Sequence, residues 1–528
     1  MTGVGGPGDG APPRRVEVLA GLSVAIDLGL GQPAEHMVRS ATIACRLSDR
    51  LGLSPQQRAT VFYATLVMWI GCHADSPEYA RWFGDDIAVR HEAYLVDWSG
   101  MPYLRFLVAN VAKGEPLPQR LRVLGALFRS ARGQLATLVH SHCASAATLA
   151  RHIGLPEEVA TTLAYTFERY DGHGLPAGAS GDQIPIEMRV AQLADVAEVH
   201  HRTYGIEAVV AMVSSRRGGQ FDPAVADAAL SAPEELFASS PDSDVWQDAL
   251  AQAPDQETRL TDDGLDRLVC AIGDFVDLKC PFTLGHSRAV ATLSAGAGRL
   301  LGARPGDVGT LRRAGHLHDL GRLGVTNQVW SKAGDLGPAE WERVRMHPYL
   351  TERVLDRIPG LGPVRTVARA HHEHLDGTGY PLGLAGSMLG RSERVLAAAV
   401  AYQSALEPRP YREAMTPGQA MARLRARSRS GALDPECVEA VLATAGHPTT
   451  RPRRDDLLTP RECEVLALVS RGFTNREIAD RLVLSEKTVR NHVERTYTKI
   501  GATNRVGASL YALQHGLAPL LAETATGP

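Results

Sequence analysis

The sequence has few of the residues that build β-sheets or disulfide frameworks. Aromatic residues make up 5% of the 528 positions, and alternating runs of Val, Ile and Thr are nearly absent. The seven cysteines, at positions 45, 72, 143, 270, 280, 437 and 463, are scattered without a CxxC pair. An odd number of unpaired cysteines argues against a disulfide framework or a structural zinc site, and for a reducing compartment. These absences favour an all-α protein.

Long apolar runs and a strong net charge are missing as well. The longest apolar stretch, Val61 to Ile70, is about half the length of the roughly 20 residues that a membrane helix needs. The first fourteen residues are rich in Gly and Pro and lack the order of a signal peptide. The net charge is −3, yet Lys and Arg outnumber Asp and Glu by 12 to 9 from Arg451 onwards. We therefore expect a cytoplasmic protein without a membrane partner, with its basic residues concentrated near the C-terminus.

Helical periodicity, interrupted by Gly and Pro, divides the chain into three folded parts. We predict a disordered N-terminus at 1–15, a helical domain at 16–235, a linker at 236–262, a second helical domain at 263–446, a linker at 447–456 and a compact domain at 457–521. None of these parts has the α/β pattern of a phosphorelay receiver domain.

The first two helical domains repeat one pattern of landmarks. The motif FERYDGHGLP at 167–176 parallels HEHLDGTGYP at 372–381, and GQFDP at 219–223 parallels GALDP at 431–435. The step of 32 residues from His286 to His318 equals the step from His36 to Met68. Chance would not keep so many spacings. The sequence therefore predicts a tandem duplication of one helical domain.

The second copy contains a cluster of potential metal ligands. His318 and Asp319 are adjacent in the run AGHLHDLGR at 314–322, and imidazole and carboxylate groups together suit a divalent metal. Further histidines stand at separated positions, namely His286, His347, His371 and His372. A solvated surface does not explain so many histidines around one His-Asp pair.

The second copy resembles the HD-GYP branch of the HD-domain phosphohydrolases over about 265–445. The segments that carry the resemblance are DLKCPFTLGHSR, LHDLGR, HPYLTERVL, HHEHLDGTGYP and EPRPYR. The resemblance implies a bound divalent metal, iron or manganese, and a cyclic dinucleotide substrate, usually cyclic di-GMP. It implies that Asp319 bridges two metals, with His286 and His318 completing one site and His347, His371 and His372 the other. It also implies catalytic roles for His318, Asp319 and Arg322 and a substrate-bordering loop with Asp376, Gly377, Gly379 and Tyr380.

The second copy departs from that family pattern in three segments. Val400 stands where the family has a late metal-ligating Asp, and Gln403 stands at the second Asp of that segment. Phe282 replaces the carboxylate of three-metal members, which leaves two metals at most. Arg322 replaces a Lys, although its guanidinium can still hold a phosphate. We expect one metal held by Asp319 and the later histidines, while the second metal and hydrolysis stay open.

The first copy has lost most of these ligands. Met68 and Trp69 replace the His-Asp pair, and Thr166 and Phe167 replace the double histidine. Thioether, indole and phenyl groups do not substitute for borderline or hard metal ligands. His36, His142 and Asp195 remain, and we interpret them as a hydrogen-bonded remnant. Packing, dimerisation or ligand sensing are the roles left open for this copy.

The C-terminal part has the signals of a helix-turn-helix domain. TPRE at 459–462 and TNRE at 474–477 are capping boxes, Ser485 caps a third helix that ends at Gly501, and a fourth helix begins after Thr503. The segment from Thr459 to Arg505 resembles the LuxR-type DNA-binding domain, which implies a four-helix fold. The apolar core is expected at Val465, Leu466, Ile478, Ala479, Leu482, Val489, Val493 and Ile500. The expected DNA contacts are Lys487, Thr488, Arg490, Asn491 and Arg495.

Together these patterns predict two tandem all-α HD-type domains followed by a LuxR-type helix-turn-helix. The favoured interpretation is a homodimeric transcriptional regulator that binds double-stranded DNA and senses or weakly hydrolyses a cyclic dinucleotide or another nucleotide. One alternative is a metal-dependent cyclic dinucleotide phosphodiesterase with an accessory DNA-binding module. A purely structural dimerisation platform would not explain why Asp319 and its histidines remain.

Overall fold

The fold is built from helices and short 3-10 turns. The computed structural model describes residues 12–98, 100–113, 116–238, 244–254, 258–448, 458–514 and 517. Within these ranges the only extended pairings are isolated bridges such as that between Asp376 and Ala385. The all-α prediction is confirmed. The chain divides into two compact units, Met1–Ala445 and Gly446–Pro528.

The first unit contains both helical copies. In the first copy and the segment after it, the helices are α1 (Arg15–Leu30), α2 (His36–Arg50), α3 (Pro55–Val67), α4 (Ser76–Phe83), α5 (Asp86–Ala93), α6 (Gly100–Asn110), α7 (Leu117–His152), α8 (Glu157–Thr162), α9 (Ile186–Tyr204), α10 (Ile206–Arg216), α11 (Pro223–Ser231), α12 (Pro233–Phe237) and α13 (Val245–Gln252). In the second copy they are α14 (Asp262–Asp277), α15 (His286–Leu300), α16 (Pro305–Leu317), α17 (Asn327–Trp330), α18 (Pro338–Arg345), α19 (His347–Leu355), α20 (Gly362–Ala368), α21 (Arg391–Leu406), α22 (Pro417–Arg429) and α23 (Pro435–Thr444).

The two copies repeat the same order of helices. Helix α3 and helix α16 both begin with a proline at the first helical position, where the missing N–H costs no hydrogen bond. The 3-10 turn Ile70–His73 follows α3 as the turn Leu320–Gly324 follows α16. His36 and His142 are 106 residues apart, whereas His286 and His347 are 61 residues apart. The extra residues of the first copy form α5, α6 and the first part of the long helix α7.

The predicted disordered N-terminus and first linker are more structured than expected. Residues 1–11 lie outside the described residues, but Arg14 pairs with Arg259 and the Leu260 N–H donates to the Pro13 carbonyl at 3.0 Å. Within the predicted linker, α13 buries Trp246, Ala249 and Leu250. Local polarity indicated a linker here, but this segment packs apolar side chains against the first unit.

One hydrophobic core runs through both copies. It contains Leu19 and Leu22 of α1 together with Leu355 and Ile358 of the second copy. The Ile358 side chain lies close to the α1 backbone here, because a Cβ on Gly21 would lie 2.4 Å from Ile358 Cδ1. Helix α1 also packs against the turn Leu320–Gly324, which follows the His-Asp pair. The first copy therefore supports the segment of the second copy that carries the predicted ligands.

A buried ionic network joins the copies at Asp86. Its Oδ2 lies 2.8 Å from Lys279 Nζ, and the two side chains are 0% and 1% exposed. Its Oδ1 accepts hydrogen bonds from Thr326 Oγ1 and the Asn327 N–H, both at 2.7 Å. Burial acts to raise the pKa of Asp86, but the charges of Lys279 and Arg90 outweigh it and hold that pKa well below its usual range. One carboxylate of the first copy thus fixes two loops of the second.

The second unit has the predicted helix-turn-helix elements. Its helices are α24 (Pro460–Ser470), α25 (Asn475–Leu482), α26 (Glu486–Ile500) and α27 (Arg505–Gln514). Thr459 and Thr474 form the predicted capping boxes, Ser485 accepts a hydrogen bond from the Thr488 N–H, and Gly501 ends α26 in the left-handed conformation. The expected core positions are buried or partly buried. The predicted linker at 447–456 falls almost wholly outside the described residues.

Across both units, every described helix is too short or too polar to span a bilayer.

Replacing Asp86 with Ala should strongly destabilise the first unit. The change leaves the Lys279 ammonium buried without its carboxylate, and breaking such a pair typically costs about 3–5 kcal/mol. Urea unfolding followed by circular dichroism should show a clearly lower midpoint for Asp86→Ala. The control is Asp49→Ala, because Asp49 pairs with Arg58 at 2.9 Å with a side chain that is 60% exposed. Equal midpoints for the two variants would contradict the role of the network.

Candidate metal centre and DNA-binding helix

The predicted ligands all lie at helix ends that meet inside the second copy. His286 begins α15, His318 and Asp319 follow α16, and His347 begins α19. His371 and His372 stand in the turn after α20. The close approach needs a glycine, since a Cβ on Gly321 would lie 2.0 Å from the His347 carbonyl oxygen. The fold thus brings together residues that the sequence separates widely.

Backbone carbonyls fix three of the imidazole rings in the same way. The Nδ1 atoms of His318, His347 and His371 lie 2.9, 2.6 and 2.6 Å from the carbonyl oxygens three residues earlier. A carbonyl can only accept, so each Nδ1 carries the proton and each Nε2 presents a lone pair. Metal-binding histidines are commonly oriented by such a hydrogen bond from their other nitrogen.

Asp319 lies between two pairs of these nitrogens. Its Oδ1 is 3.5 Å from both His347 Nε2 and His371 Nε2. Its Oδ2 is 3.5 Å from His318 Nε2 and 3.7 Å from His286 Nε2. The two oxygens of one carboxylate therefore face two separate groups of ligands, which is the arrangement that a bridging carboxylate requires.

The facing nitrogens fit a cation better than a hydrogen bond. His347 Nε2 and His371 Nε2 are 3.0 Å apart, and His286 Nε2 and His318 Nε2 are 3.2 Å apart. In the first pair both Nδ1 atoms donate elsewhere, so neutral rings have no proton to place between the Nε2 atoms. Two groups, His347 with His371 and His372, and His286 with His318 and Asp319, have donor atoms close enough to share an ion. The residues present thus fit a divalent metal.

The electrostatics of the site suit the same ligand. Burial lowers the pKa of His318, His347 and His372, which keeps these rings neutral. Burial acts to raise the pKa of Asp319, but His318 and Arg322 are the main groups that outweigh it and hold that pKa well below its usual range. Neutral imidazoles around an ionised carboxylate are the protonation states that metal binding needs.

Glu407 is a site residue that the sequence reasoning did not identify. Its Oε1 lies 2.8 Å from His286 Nδ1, and its Oε2 accepts a hydrogen bond from Arg409 at 2.8 Å. The carboxylate therefore orients the His286 ring and leaves Nε2 for a ligand. The segment EPRPYR at 407–412 was recognised as a motif, but nothing local in it links Glu407 to a histidine 121 residues earlier.

The predicted substrate loop lies against the metal ligands at one point. The Tyr380 ring stacks on His372 with centroids 4.7 Å apart. Asp376 Oδ1 accepts from the N–H and hydroxyl of Thr378, and Gly377 adopts φ 77°. Gly379 permits a close approach, because its Cβ would lie 2.3 Å from the His374 nitrogen. Tyr380 alone among these four stacks on a ligand ring, and the substrate roles of all four stay predictions.

Arg322 contacts the bridging carboxylate. Its Nη1 lies 2.9 Å from Asp319 Oδ2, and its guanidinium stands 4.3 Å above the Trp330 ring. The predicted role was to hold a phosphate. In this structure the same guanidinium lies at the candidate metal centre, and its contact with the indole ring limits its freedom.

The first copy shows what occupies the position of Val400. Counting from the start of α9 and of α21, Asp195 and Val400 are equivalent residues. Asp195 Oδ1 lies 3.0 Å from His36 Nε2, whereas Val400 is a buried apolar residue that is 4% exposed. The comparison within the chain supports the prediction that Val400 stands where a carboxylate would face the first histidine.

In the first copy, hydrogen-bonded side chains occupy the place that corresponds to the candidate metal centre. The Trp69 indole N–H donates to Asp195 Oδ2 at 3.0 Å, and Glu198 Oε2 lies 2.5 Å from His36 Nδ1. Burial acts to lower the pKa of His36, but hydrogen bonds to Asp195 and Glu198 raise it to about 10. A protonated imidazole thus supplies the positive charge in this copy, which agrees with the predicted hydrogen-bonded remnant.

The predicted DNA-contacting residues lie on α26 of the second unit. Lys487, Arg490, Asn491 and Arg495 are exposed, and Thr488 is half-buried. The Thr488 hydroxyl lies 2.7 Å from Ser485 Oγ, so it also takes part in the helix cap. The apolar side of the same helix packs Val489 and Val493 into the core. The exposed basic face is free to enter a DNA groove, and its contacts with bases stay a prediction.

Comparisons with known families support both resemblances. The family model described as HD domain matches residues 127–225 and 271–437. The model for bacterial regulatory proteins of the luxR family matches residues 456–512. The HD-domain matches fall in both helical copies, and the second match contains every predicted metal ligand.

The similar proteins are named as phosphodiesterases of cyclic dinucleotides. The 3'3'-cGAMP-specific phosphodiesterase 3 of Vibrio cholerae is 31% identical over 432 residues, which cover 80% of this chain and 93% of that protein. A cyclic di-GMP phosphodiesterase response regulator of Xanthomonas campestris is 35% identical over 146 residues, covering 27% of this chain and 38% of its own. The crystal structure of a cyclic GMP-AMP-specific phosphodiesterase of V. cholerae matches with a TM-score of 0.57 and 27% identity, covering 83% of this chain and 98% of that one.

Loss of the bridging carboxylate should remove bound metal. We expect the purified protein to carry metal that is lost in Asp319→Ala, because both groups of imidazoles then lack their shared anionic ligand. Metal content measured by mass spectrometry provides the test. The matched control is Trp69→Phe, since Trp69 holds the equivalent position in the first copy. Stoichiometric metal in Asp319→Ala would contradict the assigned centre.

Proposed function

The chain belongs to the HD-domain family and carries a LuxR-type helix-turn-helix, and on that premise we propose that it is a DNA-binding transcriptional regulator controlled by a cyclic dinucleotide. The observation that supports the ligand most is the position of Asp319 between two pairs of imidazole nitrogens. The observation that supports the output is the exposed basic face of α26. A second copy of the chain is part of the proposal, because one helix-turn-helix has a small footprint and dimers bind two half-sites.

The metal centre would be held by this chain's own ligands in two groups. His347, His371, His372 and Asp319 would hold one divalent ion, iron or manganese by resemblance to the family. His286, His318 and Asp319 offer a second, poorer site because Val400 supplies no carboxylate. When bound, a metal pair lowers the pKa of water and stabilises the attacking and leaving oxygens of a phosphodiester.

The protein residues would position the nucleotide around that centre. Arg322, held between Asp319 and the Trp330 ring, offers a guanidinium to a non-bridging phosphate oxygen. Tyr380, stacked on His372, fixes the entrance loop next to the ligands. Binding without fast turnover would make the nucleotide an effector, and an effector changes DNA affinity only if it binds two states of the protein differently.

A cyclic dinucleotide phosphodiesterase with an accessory DNA module is the second candidate. The similarity to phosphodiesterase 3 of V. cholerae over 80% of this chain favours it. The buried Val400 in place of a ligand disfavours it, because the poorer site then lacks one anionic donor. We therefore expect weak or no hydrolysis of cyclic dinucleotides, well below the ordinary range of about 1–1,000 turnovers per second.

Val400→Asp should restore the missing ligand. We expect the variant to bind a second metal and to hydrolyse a cyclic dinucleotide faster than wild type, because a metal pair stabilises both reacting oxygens. Its melting temperature should rise more on adding manganese than that of wild type, since the buried carboxylate gains a cation. Val400→Asn is the control, having a similar size and no charge. If Asn and Asp behave alike, the carboxylate is not a ligand.

Charge removal on α26 should weaken DNA binding. Lys487→Ala or Arg490→Ala should each lose about 1–3 kcal/mol of specific binding if the side chain reaches a base edge. Fluorescence anisotropy with the full chain at several salt concentrations would measure it, since phosphate contacts give a steep salt dependence. The control is Arg471→Ala, an exposed charge that follows α24 and lies outside α26. A full chain without affinity for DNA at low salt would refute the regulator.

A further inference from the structure

A small cavity connects the metal ligands with a pair of arginines. Its volume is about 110 Å³. His371 and His372 line one part of it, and Arg423 and Arg427 of α22 line another. The cavity therefore links a place where one phosphate would meet the metal centre with a second place of positive charge.

No close carboxylate of the described residues neutralises this arginine pair, although the charge of Asp376 acts to raise the pKa of Arg427. Within the described parts of the chain, neither Arg423 nor Arg427 forms an ion pair. Arg425, which lies between them on α22, pairs with Glu439 through two hydrogen bonds of 2.8 and 2.9 Å. Burial and the charge of Arg423 lower the pKa of Arg427, so the two guanidinium groups oppose each other. Arg427 is half-buried and Arg423 is exposed beside it, so an anion bound near both guanidinium groups would relieve their repulsion.

The remaining hydrogen bonds of the pair leave donors for such an anion. Arg427 Nη2 donates to His374 Nε2 at 2.6 Å, since a guanidinium nitrogen can only donate. The other guanidinium nitrogens of Arg427 face no acceptor among the described residues. An arginine fork suits phosphate oxygens well.

Arg412, a third arginine of the cavity wall, has a different role. Its guanidinium donates to the carbonyls of Ala405, Glu407 and Glu413 at 3.2 to 3.3 Å and to that of Ser404. These bonds, from Nη1 and Nη2, hold the turn after α21. Arg423 and Arg427, by contrast, donate to no backbone carbonyl of the described residues.

We propose that Arg423 and Arg427 bind the second phosphate of a cyclic dinucleotide while the first phosphate faces Asp319 and its imidazoles. This inference rests on the proposed function, since a cyclic dinucleotide carries two phosphodiester groups in one ring. With one phosphate at the metal centre, the other extends into the cavity toward α22. Arg423 and Arg427 then make the site bind cyclic dinucleotides more tightly than nucleotides that carry one phosphodiester.

Calorimetric titration of the manganese-loaded full chain with two ligands tests the proposal. One ligand is a phosphorothioate analogue of 3'3'-cyclic GMP-AMP, which resists hydrolysis, and the other is the linear GpA analogue with a single phosphodiester. The double variant Arg423→Ala/Arg427→Ala should bind the cyclic ligand about 10- to 100-fold more weakly, the range expected for lost charge-assisted hydrogen bonds. It should bind the linear ligand as wild type does. Arg425→Ala is the matched control and should leave both affinities unchanged.

Each other result overturns a defined part of the account. An unchanged affinity for the cyclic ligand, or an equal loss for both ligands, refutes a site for the second phosphate. If wild type binds neither nucleotide, the proposed function fails. Titration with pyrophosphate in a chelating buffer, which removes the metal, then tests whether Arg423 and Arg427 bind an anion by themselves. If the double variant binds pyrophosphate at least tenfold more weakly than wild type, the arginines form an anion site. If the two proteins bind pyrophosphate equally, the anion site is refuted as well.

Discussion

The Asp319 carboxylate is the group on which the second copy depends. Its two oxygens face two pairs of imidazole nitrogens at 3.5 to 3.7 Å, and four helix ends converge to make this arrangement. Backbone carbonyls hold the rings, Glu407 orients His286, and Gly321 lets the helices approach. The Arg322 guanidinium, 2.9 Å from Oδ2, helps to keep this buried carboxylate ionised, and an ionised carboxylate among imidazole nitrogens suits a divalent cation.

The first copy shows how the same fold persists without this centre. Trp69 fills the place of Asp319, and a protonated His36 between Asp195 and Glu198 supplies the positive charge. The copy retains a structural role, because Asp86 fixes the loops of Lys279 and Thr326 in its neighbour. Duplication thus leaves one module with the ligands and another that supports the ligand-bearing loops.

Much of the molecule could be predicted from local patterns. Proline at the first helical position, the capping boxes at Thr459 and Thr474, and the spacing of the histidines identify the helices and the ligand set. The features that could not be predicted are pairings across long stretches of chain. Glu407 meets His286 over 121 residues, and Lys279 meets Asp86 over 193 residues. No periodicity encodes such contacts, because they depend on how packed helices present single side chains.

Local composition also misled where burial decided the outcome. The polar segment before α14 was interpreted as a linker, yet α13 packs Trp246 into the first unit. Arg423 and Arg427 resemble ordinary surface charges in the sequence, and only their position on the cavity beside His371 distinguishes them from Arg425. In both cases the sequence gives the residue type but not the tertiary environment of the side chain.

If Asp319 organises a metal centre in the second copy, manganese should bind beside it. Anomalous X-ray diffraction from crystals of the full chain grown with manganese tests it most directly. We expect the strongest peak within coordinating distance of Asp319, His347 and His371, a weaker peak or none beside His286, and none beside His36. A peak at His36 and Asp195, or no peak near Asp319, would contradict it.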